Sequence, residues 1–237
     1  MTNGVNYTSN LSISFVFPMY NECDIIENSV REIQKMALEL ACDYEIIISD
    51  DASTDGSEKI IDRMAAENSY IKAMHLSKNT KLGGALKAGL MAATKDIIVY
   101  TDSDLPVSFL DMKESLLLIK DAEIVTATSL VKKGESIRRI TISIVYNMLV
   151  NLFFKLGMKD INSGYKIFKT RIFKDMDLYS ESPFISVEIF LKAKEKGYKI
   201  KQFPTIYRQR SAGKSSVVRI PVIWQTFFDM TKYWTKD

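Results

Sequence analysis

The sequence contains few of the residues from which disulfide-rich and thiolate metal-binding folds are built. Its 237 residues include two cysteines, one histidine, five prolines and ten glycines. Cys23 and Cys42 are too few for a disulfide framework, and no CxxC pair or Cys/His cluster has metal-ligand spacing. This cysteine usage is typical of a reducing compartment. The ordinary composition, with few glycines and prolines, gives no indication of disorder.

We expect neither a secretory leader nor an internal linker in this sequence. Residues 1–10 have neither a basic region nor an apolar core, so we expect a polar tail there rather than a secretory signal. The length suits one domain with a full hydrophobic core. We expect residues 11–218 to form this domain and residues 219–237 to form a C-terminal amphipathic helix.

Charge is distributed unevenly along the chain. The net charge is +3, but residues 1–122 hold 11 Lys and Arg against 19 Asp and Glu, whereas residues 123–237 hold 21 against 10. An acidic half suits metal binding, and a basic half suits a phosphate-bearing partner, an anionic membrane surface or nucleic acid. Charges that only coat solvated faces would give the same asymmetry. Because no nucleic-acid-binding motif is recognisable, we expect no nucleic-acid partner.

Apolar runs alternate with helical patterns in the first half of the chain. The runs predict strands at residues 11–17, 44–49, 71–76, 96–101 and 122–127. Helical spacing of apolar residues predicts helices between them. Strands that are apolar throughout indicate a parallel sheet that is covered on both faces. The predicted fold is therefore a doubly wound α/β domain.

A pair of aspartates follows the fourth predicted strand. In sheets of this kind, ligands bind beyond the carboxyl ends of the strands. Asp102 and Asp104 flank one serine and can bring two carboxylates to one site. Hard carboxylate oxygens select Mg²⁺ or Mn²⁺, and substrate phosphates commonly complete the shell. The pattern indicates a metal-assisted site, and its structural alternative is a solvated turn.

Two further polar clusters end the first and second predicted strands. Tyr20 and Glu22 could supply a stacking ring and a hydrogen-bond acceptor. Asp50 and Asp51 could accept hydrogen bonds from ribose hydroxyls or from a base N–H. Acidic groups that converge on one sheet edge repel each other unless a cation or polar ligand is present. Their coincidence favours a nucleotide site.

The motifs resemble those of family 2 glycosyltransferases with the GT-A fold. The resemblance is carried by FVFPMYNE, EIIISDDASTDGS, NTKLGGALKAGL and YTDSDLP, in that order. Further along, NSGYKIF, SVEIFLKAKEKGYKI and FPTIYRQRSAGKSS resemble the dolichyl-phosphate mannosyltransferase and polyprenyl-phosphate sugar transferase branch. The resemblance implies a single Rossmann-like nucleotide-diphospho-sugar transferase domain, with a mostly parallel central sheet and C-terminal amphipathic helices.

The resemblance also implies roles for the residues that match the motifs. The nucleotide pocket would be lined by Pro18, Tyr20, Glu22 and Asp50. Asp51 and Asp102 are added to this pocket because they also follow the ends of predicted strands. Asp102 and Asp104 would hold the metal. Phosphate groups and the acceptor would be bound by Arg139, Ser143, Arg208, Arg210, Lys214 and Ser215. Asp104, Glu188 and Arg139 would act at the transfer step.

Three positions depart from the family pattern. Pro106 stands where the family often has a Gln that helps to bind the metal, and Ser216 stands where its closing loop ends in Lys. An Arg that often follows the fifth strand is also absent, and Lys132 or Lys133 is the candidate to replace it. These departures leave open how the metal ion is coordinated.

The implied reaction is inverting transfer from a UDP- or GDP-linked sugar to a polyprenyl or dolichyl phosphate. A lipid phosphate is already anionic, so it needs no strong general base. A hydroxyl acceptor would need one, and Glu188 is then the candidate. His75, the only histidine, lies within a predicted strand, and we expect it to be structural.

The long apolar segment at 137–158 bears on the acceptor. Ser143, Asn147, Asn151 and Lys155 recur every four residues and form one polar stripe. The stripe argues against a single transmembrane span, and it leaves an interfacial helix and a core helix as alternatives. We expect the protein to lie at the cytoplasmic face of the membrane, peripherally or through a membrane partner.

Two other functions fit the same residues. One is a family 2 glycosyltransferase that acts on a glycan or polysaccharide hydroxyl. The other is a catalytically silent scaffold subunit, which the departures at Pro106 and Ser216 allow.

Overall fold

The computed structural model describes residues 11–40, 42–130, 137–208, 228, 229, 231 and 233. Within these residues the chain alternates strands and helices, as the apolar runs predict. The strands are β1 (Ser12–Met19), β2 (Asp43–Asp50), β3 (Ile71–His75), β4 (Ile97–Thr101), β5 (Ile124–Ser129), β6 (Tyr165–Lys169) and β7 (Ile200–Thr205). The helices are α1 (Ile26–Glu39), α2 (Ser57–Glu67), α3 (Lys81–Ala92), α4 (Phe109–Leu118), α5 (Ile137–Phe154) and α6 (Ile185–Glu195).

The described strands form one sheet in the order β3-β2-β1-β4-β6-β5-β7. Neighbouring strands are parallel except where β6 pairs with β4 and with β5. The sheet is therefore mostly parallel, and its single reversed strand lies near the middle. The predicted α/β class with a mostly parallel central sheet is confirmed.

Apolar side chains cover the sheet on both faces. Successive strand residues point to opposite faces, so Ile46 and Ile48 of β2 join one core cluster and Ile47 joins the other. The first cluster includes buried residues of α1, α2 and α4, and the second includes buried residues of α3, α5 and α6. The result is three layers with the sheet in the middle, which leaves the carboxyl edge of the parallel strands open to ligands.

The five strands that periodicity predicts are all present, with shifts of one to two residues at most ends. The apolar segment at 137–158 is shorter as a helix than its composition indicates. α5 ends at Phe154, because Lys155 and Gly157 both adopt positive φ values, of 48° and 68°. Among the described helices, none is both long and apolar enough to cross a bilayer. The predicted tail at 1–10 and most of the predicted helix at 219–237 lie outside the described residues.

Candidate active site

The turn after β4 carries the aspartate pair. The hydroxyl of Tyr100 donates a hydrogen bond to Oδ1 of Asp102 at 2.7 Å. The backbone N–H of Leu105 donates to the carbonyl oxygen of Asp102 at 3.0 Å, and Leu105 has a positive φ of 46°. The tight turn keeps Asp102 and Asp104 on one short loop, as a shared cation site requires.

The start of β6 meets this turn because β6 runs antiparallel to β4. The last residue of β4, Thr101, pairs with the first residue of β6, Tyr165. The backbone N–H of Asp102 donates to the carbonyl oxygen of Gly164 at 2.9 Å. A Cβ atom on Gly164 would overlap the carboxylate of Asp102, so this close approach requires glycine. The NSGYK motif therefore packs directly against the DSD motif.

A buried lysine lies next to the turn. Lys166 is 1% exposed, donates a hydrogen bond to the carbonyl oxygen of Ser163, and has its Nζ atom 5.2 Å from the centre of the Tyr100 ring. Burial lowers the pKa of Lys166 to about 8, although the charges of Asp102 and Asp160 act to raise it. A cationic group is thus built in among the carboxylates. Lys166 is not among the residues that the sequence motifs predict for the site, and the signal for it is a lysine within the apolar run YKIF.

The loops after β1 and β2 are joined by hydrogen bonds. The N–H of Asn21 donates to Oγ of Ser53 at 2.9 Å, and the N–H of Thr54 donates to Oδ1 of Asn21 at 2.8 Å. The N–H of Glu22 donates to Oγ of Ser57 at 2.9 Å. The first two polar clusters therefore lie side by side at the carboxyl edge of the sheet, as the sequence predicts.

Two of the expected pocket residues lie at the end of β1. Pro18 is buried and pairs in register with Ser49 of β2. Tyr20 follows the strand and is 38% exposed. An exposed ring at this edge is available for stacking against a flat ligand.

Asp50 lies at the end of β2 and is held by a histidine. Its Oδ1 accepts from the N–H of Ser53 at 3.0 Å, and its Oδ2 lies 3.0 Å from Nδ1 of His75. The other ring nitrogen of His75 lies 2.9 Å from Oδ1 of Asp62 on α2. An ionised carboxylate can only accept hydrogen bonds, so this arrangement favours an imidazole that donates from both ring nitrogens. The hydrogen bonds to Asp50 and then to Asp62 raise the pKa of His75.

Asp51 has different partners from Asp50. Its Oδ1 accepts from the backbone N–H of Thr80 and from Oγ1 of Thr80 at 2.8 Å. Burial raises the pKa of Asp51, and the hydrogen bonds from Thr80 partly oppose this. The carboxylate of Asp51 therefore holds the loop that leads into α3.

Glu188 is fully buried in the first turn of α6. Its carboxylate accepts from the N–H groups of Tyr179 and Ser180, both at 2.9 Å, and pairs with Nζ of Lys192 at 2.9 Å. These donors occupy both carboxylate oxygens. The segment that Glu188 holds approaches α3, because Gly83 donates its N–H to the carbonyl oxygen of Glu181.

The expected phosphate-binding residues are only partly described. Arg139 lies in the first turn of α5, and Ser143 lies one turn further along. The backbone N–H of Arg208 donates to the carbonyl oxygen of Pro106 at 2.8 Å, and the side chain of Arg208 pairs with Glu32 of α1. Arg208 therefore lies beside the turn that carries the aspartates. The remaining members of the predicted basic loop, Arg210, Lys214 and Ser215, lie outside the described residues.

A metal ion would receive few protein ligands. Over residues 11–40, 42–130 and 137–208, no group of three or more His, Cys, Asp or Glu side chains could hold an ion. Asp102 and Asp104 alone would supply two carboxylates, which suits an ion whose shell is completed by water and substrate phosphates.

Comparison with protein families gives one match that covers most of the chain. The family described as glycosyl transferase family 2 matches residues 14–178. This range extends from β1 past the end of β6, and it contains the strand-end loops and both the DSD and NSGYK motifs.

Two curated proteins are related over most of this chain. The chain is 29% identical over 218 residues to glycosyltransferase AglD of Haloferax volcanii, covering 88% of this chain and 35% of AglD. It is 26% identical over 205 residues to undecaprenyl-phosphate 4-deoxy-4-formamido-L-arabinose transferase of Klebsiella pneumoniae, covering 86% of this chain and 62% of that protein. The chain thus spans less than two thirds of the length of either relative.

The fold recurs in a solved glycosyltransferase. Glucosyl-3-phosphoglycerate synthase from Mycobacterium tuberculosis, solved with Mn²⁺, UDP and phosphoglyceric acid, superposes with a TM-score of 0.64. The two chains are 20% identical, and the match covers 86% of this chain and 72% of the synthase. This likeness confirms the GT-A fold.

Proposed function

The chain belongs to glycosyl transferase family 2, and we propose that it moves a sugar from a UDP- or GDP-linked donor to a polyprenyl phosphate. The observation that carries the proposal is the contact of Gly164 with the carboxylate of Asp102, which packs NSGYK against DSD at the carboxyl edge of the sheet. The name of the Klebsiella relative, which includes undecaprenyl phosphate, supports the acceptor class. The Mn²⁺ and UDP bound to the Mycobacterium synthase support the donor class and a divalent metal.

The residues after β4 fit a divalent ion, Mg²⁺ or Mn²⁺. Asp102 and Asp104 would hold it, and the ion would supply positive charge to the departing diphosphate. Tyr100 orients Asp102 through its hydrogen bond to Oδ1. Burial lowers the pKa of Lys166 to about 8, so at neutral pH its positive charge would reduce repulsion between the two carboxylates.

We assign the nucleotide to the edge formed by the loops after β1 and β2. Pro18, Tyr20 and Glu22 would line it, with Tyr20 stacking on the base. Asp50 would accept hydrogen bonds from the base or the ribose, with His75 fixing the direction of its carboxylate. Asp51 would support this edge through Thr80 rather than contact the donor.

In the proposed reaction, an anionic oxygen of the acceptor phosphate attacks the anomeric carbon of the sugar. The bond from that carbon to the diphosphate oxygen breaks, and the nucleoside diphosphate leaves with the electron pair, so the configuration inverts. No proton has to be removed from the acceptor. Glu188, whose oxygens are already occupied, would position the segment at 179–181 and would not act as a base.

The phosphate groups of the two substrates would be bound by cationic side chains, which balance their charge, and by hydroxyl groups, which donate hydrogen bonds. These are Arg139, Ser143, Arg208, Arg210, Lys214 and Ser215. Because the acceptor is a membrane lipid, the site of action would be the membrane surface. We propose the cytoplasmic face, where nucleotide sugars are available, with peripheral association or a membrane partner.

The test is a transfer assay with a panel of UDP- and GDP-sugars, a detergent-dissolved polyprenyl phosphate and Mn²⁺. One donor is expected to give a glycolipid product, and Asp104→Asn should lower the rate by at least about a hundredfold. The control is Asp121→Asn, an exposed aspartate that precedes β5 at the opposite edge of the sheet, which should keep its rate within about tenfold. The proposal would be refuted if product formed only with a glycan hydroxyl as the acceptor, or if none of the donors gave any product.

A further inference from the structure

Lys166 lies near the middle of the sheet, and its side chain is almost completely buried. On β6 it pairs in register with Tyr100 of β4 and with Thr126 of β5. It is 1% exposed, and its Nζ atom lies 5.2 Å from the centre of the Tyr100 ring and 5.8 Å from the centre of the Phe190 ring on α6. A side chain with so little surface cannot contact a ligand, so it can influence the site only through its charge or through its neighbours.

Packing of the fold does not explain why a lysine stands at this position. The ammonium group donates its hydrogen bond to the neutral carbonyl oxygen of Ser163, and two aromatic rings lie beside it. Burial lowers the pKa of Lys166 to about 8, so the folded chain holds the charged form at a cost in stability. A methionine of similar length would fill the same space without that cost. What a lysine adds at position 166 is therefore its positive charge.

This charge lies next to the aspartate turn. The Tyr100 ring that faces Nζ of Lys166 carries the hydroxyl group that donates to Oδ1 of Asp102. Two residues before Lys166, Gly164 packs against the carboxylate of Asp102. The charge of Asp102 acts on the ammonium group, and the interaction is mutual. A charged ligand that binds at Asp102 therefore experiences the positive charge of Lys166.

The charge of Lys166 has opposite effects on two ligands that the turn could bind. A free divalent ion is positive, so a buried cation close to its carboxylate ligands weakens its binding. A nucleoside diphosphate that carries one divalent ion still has a net negative charge, so the same cation strengthens its binding. Because Lys166 is buried, salt screens these interactions less than it screens interactions between surface charges.

We propose that Lys166 is a specificity-determining residue, whose buried positive charge makes the aspartate turn select a divalent ion bound to a nucleoside diphosphate over the free ion. This inference rests on the proposed function for the identity of the ligands, which are Mg²⁺ or Mn²⁺ and UDP or GDP. Its consequence is that the free ion does not occupy the turn ahead of the donor.

The experiment measures two dissociation constants at neutral pH, for the wild-type chain and for Lys166→Met. Binding of Mn²⁺ alone is followed by electron paramagnetic resonance of the free ion. Binding of UDP or GDP with equimolar Mn²⁺ is followed by calorimetry. In Lys166→Met, Mn²⁺ alone should bind at least about threefold more tightly, and the nucleotide with Mn²⁺ at least about threefold more weakly. A packing defect would weaken both, so opposite changes identify the charge as the cause.

Three further variants test whether the effect belongs to this charge at this place. Lys166→Arg keeps the charge, so both dissociation constants should stay within about twofold of the wild type. Lys169→Met removes the same charge from the other end of β6, where Lys169 pairs in register with Ile97 at the start of β4, and it should also stay within about twofold. Asp102→Asn, added to Lys166→Met, should remove the tighter binding of Mn²⁺.

Four results would overturn the proposal. Both dissociation constants of Lys166→Met could change in the same direction, or neither could change. Lys166→Arg could behave like Lys166→Met, or the tighter binding of Mn²⁺ could survive Asp102→Asn. The free energy of unfolding, measured on the same proteins, should be at least as high in Lys166→Met as in the wild type, because the buried charge is gone. A less stable variant that binds both ligands more weakly would show that Lys166 serves the fold alone.

Because these measurements need no acceptor, they separate ion selection from sugar transfer. A wild type that gives the opposite changes in Lys166→Met but transfers no sugar would support the role of Lys166 and refute the proposed function. A wild type that transfers sugar, with a Lys166→Met variant that changes in one direction only, would refute the role of Lys166 and leave the proposed function standing.

Discussion

The side chain of Asp102 is positioned by contacts from two neighbouring strands. Tyr100 lies two residues before it on β4, and Gly164 directly precedes β6. A carboxylate that is already oriented needs less reorganisation when a charged ligand binds. The neighbours of Asp102 are therefore as important to the site as the aspartate pair itself.

Replacing Tyr100 by Phe tests this orientation. The variant keeps the ring and loses the hydrogen bond to Oδ1 of Asp102. We expect the affinity for Mn²⁺, measured calorimetrically with the nucleoside diphosphate present, to fall by about tenfold. The control is Tyr165→Phe, which loses a buried hydrogen bond to Ser115 on α4 and should cost about 1 kcal/mol of stability without weakening Mn²⁺ binding. Unchanged Mn²⁺ affinity in Tyr100→Phe would show that the hydrogen bond has no such role.

His75 gives the fold a dependence on pH. The carboxylates of Asp50 and Asp62 raise its pKa, so the folded state binds a proton more tightly than the unfolded state. Its contribution to stability is complete below the pKa of an unfolded histidine, about 6.5, and is lost as the pH rises through the higher pKa of the folded state. Because the side chain is 39% exposed, we expect an effect below about 1 kcal/mol.

Denaturant unfolding of His75→Gln at two pH values measures this effect. The wild type should exceed the variant in stability at about pH 5.5, and the difference should shrink by about pH 8.5. Lys72→Gln is the control, because Lys72 lies on β3 with His75 and its ion-pair partner, Glu45 of β2, has a pKa lowered to about 2, far below this pH range. A difference that is constant, or that grows with pH, would contradict a protonated His75.

At the scale of elements, α5 reverses the usual arrangement of an amphipathic helix. A surface helix commonly buries its apolar stripe and exposes its polar one. In α5 the asparagines face inward because the loop after the helix leaves backbone groups of Met158 and Ile161 to be satisfied. Ile144, Met148 and Leu152 are left outside, whereas Val150 enters the core and Tyr146 and Phe154 pack against it.

At the start of α6, the contacts of Glu188 indicate that this residue stabilises the fold. Glu188 holds the backbone of residues 179 and 180 and pairs with Lys192 while completely buried. We expect Glu188→Gln to destabilise the protein by about 3 kcal/mol, because one partner of a buried pair loses its charge. The transfer rate of the folded variant should remain within about tenfold of the wild type, as measured beside its free energy of unfolding.

The exposed Glu195 at the end of the same helix gives the matched control. Glu195→Gln should change stability by no more than about 0.5 kcal/mol. A rate for Glu188→Gln that falls by about a hundredfold or more, with stability unchanged, would instead make Glu188 a general base and point to a hydroxyl acceptor.

At the scale of the whole molecule, the site combines the two halves of the chain. The first four strands lie together at one end of the sheet order, and β6 from the second half is paired beside β4. This reversed strand delivers Gly164 and Lys166 to the acidic edge. A ligand bound there contacts elements that are far apart in sequence, so its binding should stabilise the chain as a unit.

Thermal unfolding with nucleotide and metal tests this coupling. At a free concentration of about a hundred times its Kd, UDP or GDP with Mn²⁺ should add about 2.7 kcal/mol and raise the Tm by roughly 5 to 10 °C. EDTA should abolish the shift, and so should Asp104→Asn. The same shift in EDTA would mean that the nucleotide binds without an ion held by the aspartates.

Features that depend on residues close together in the chain could be predicted from the amino-acid sequence alone. Apolar runs predicted the layered α/β fold, and the clusters after the first, second and fourth strands predicted the edge where the loops meet, because the carboxyl ends of parallel strands share one edge. The pairing of His75 with Asp50, the burial of Lys166 beside Asp102, the hydrogen bonds to Glu188 and the inward asparagines of α5 were decided only by the tertiary structure. Each depends on which distant backbone or charged group needs a partner once the layers have packed, and no linear spacing contains that information.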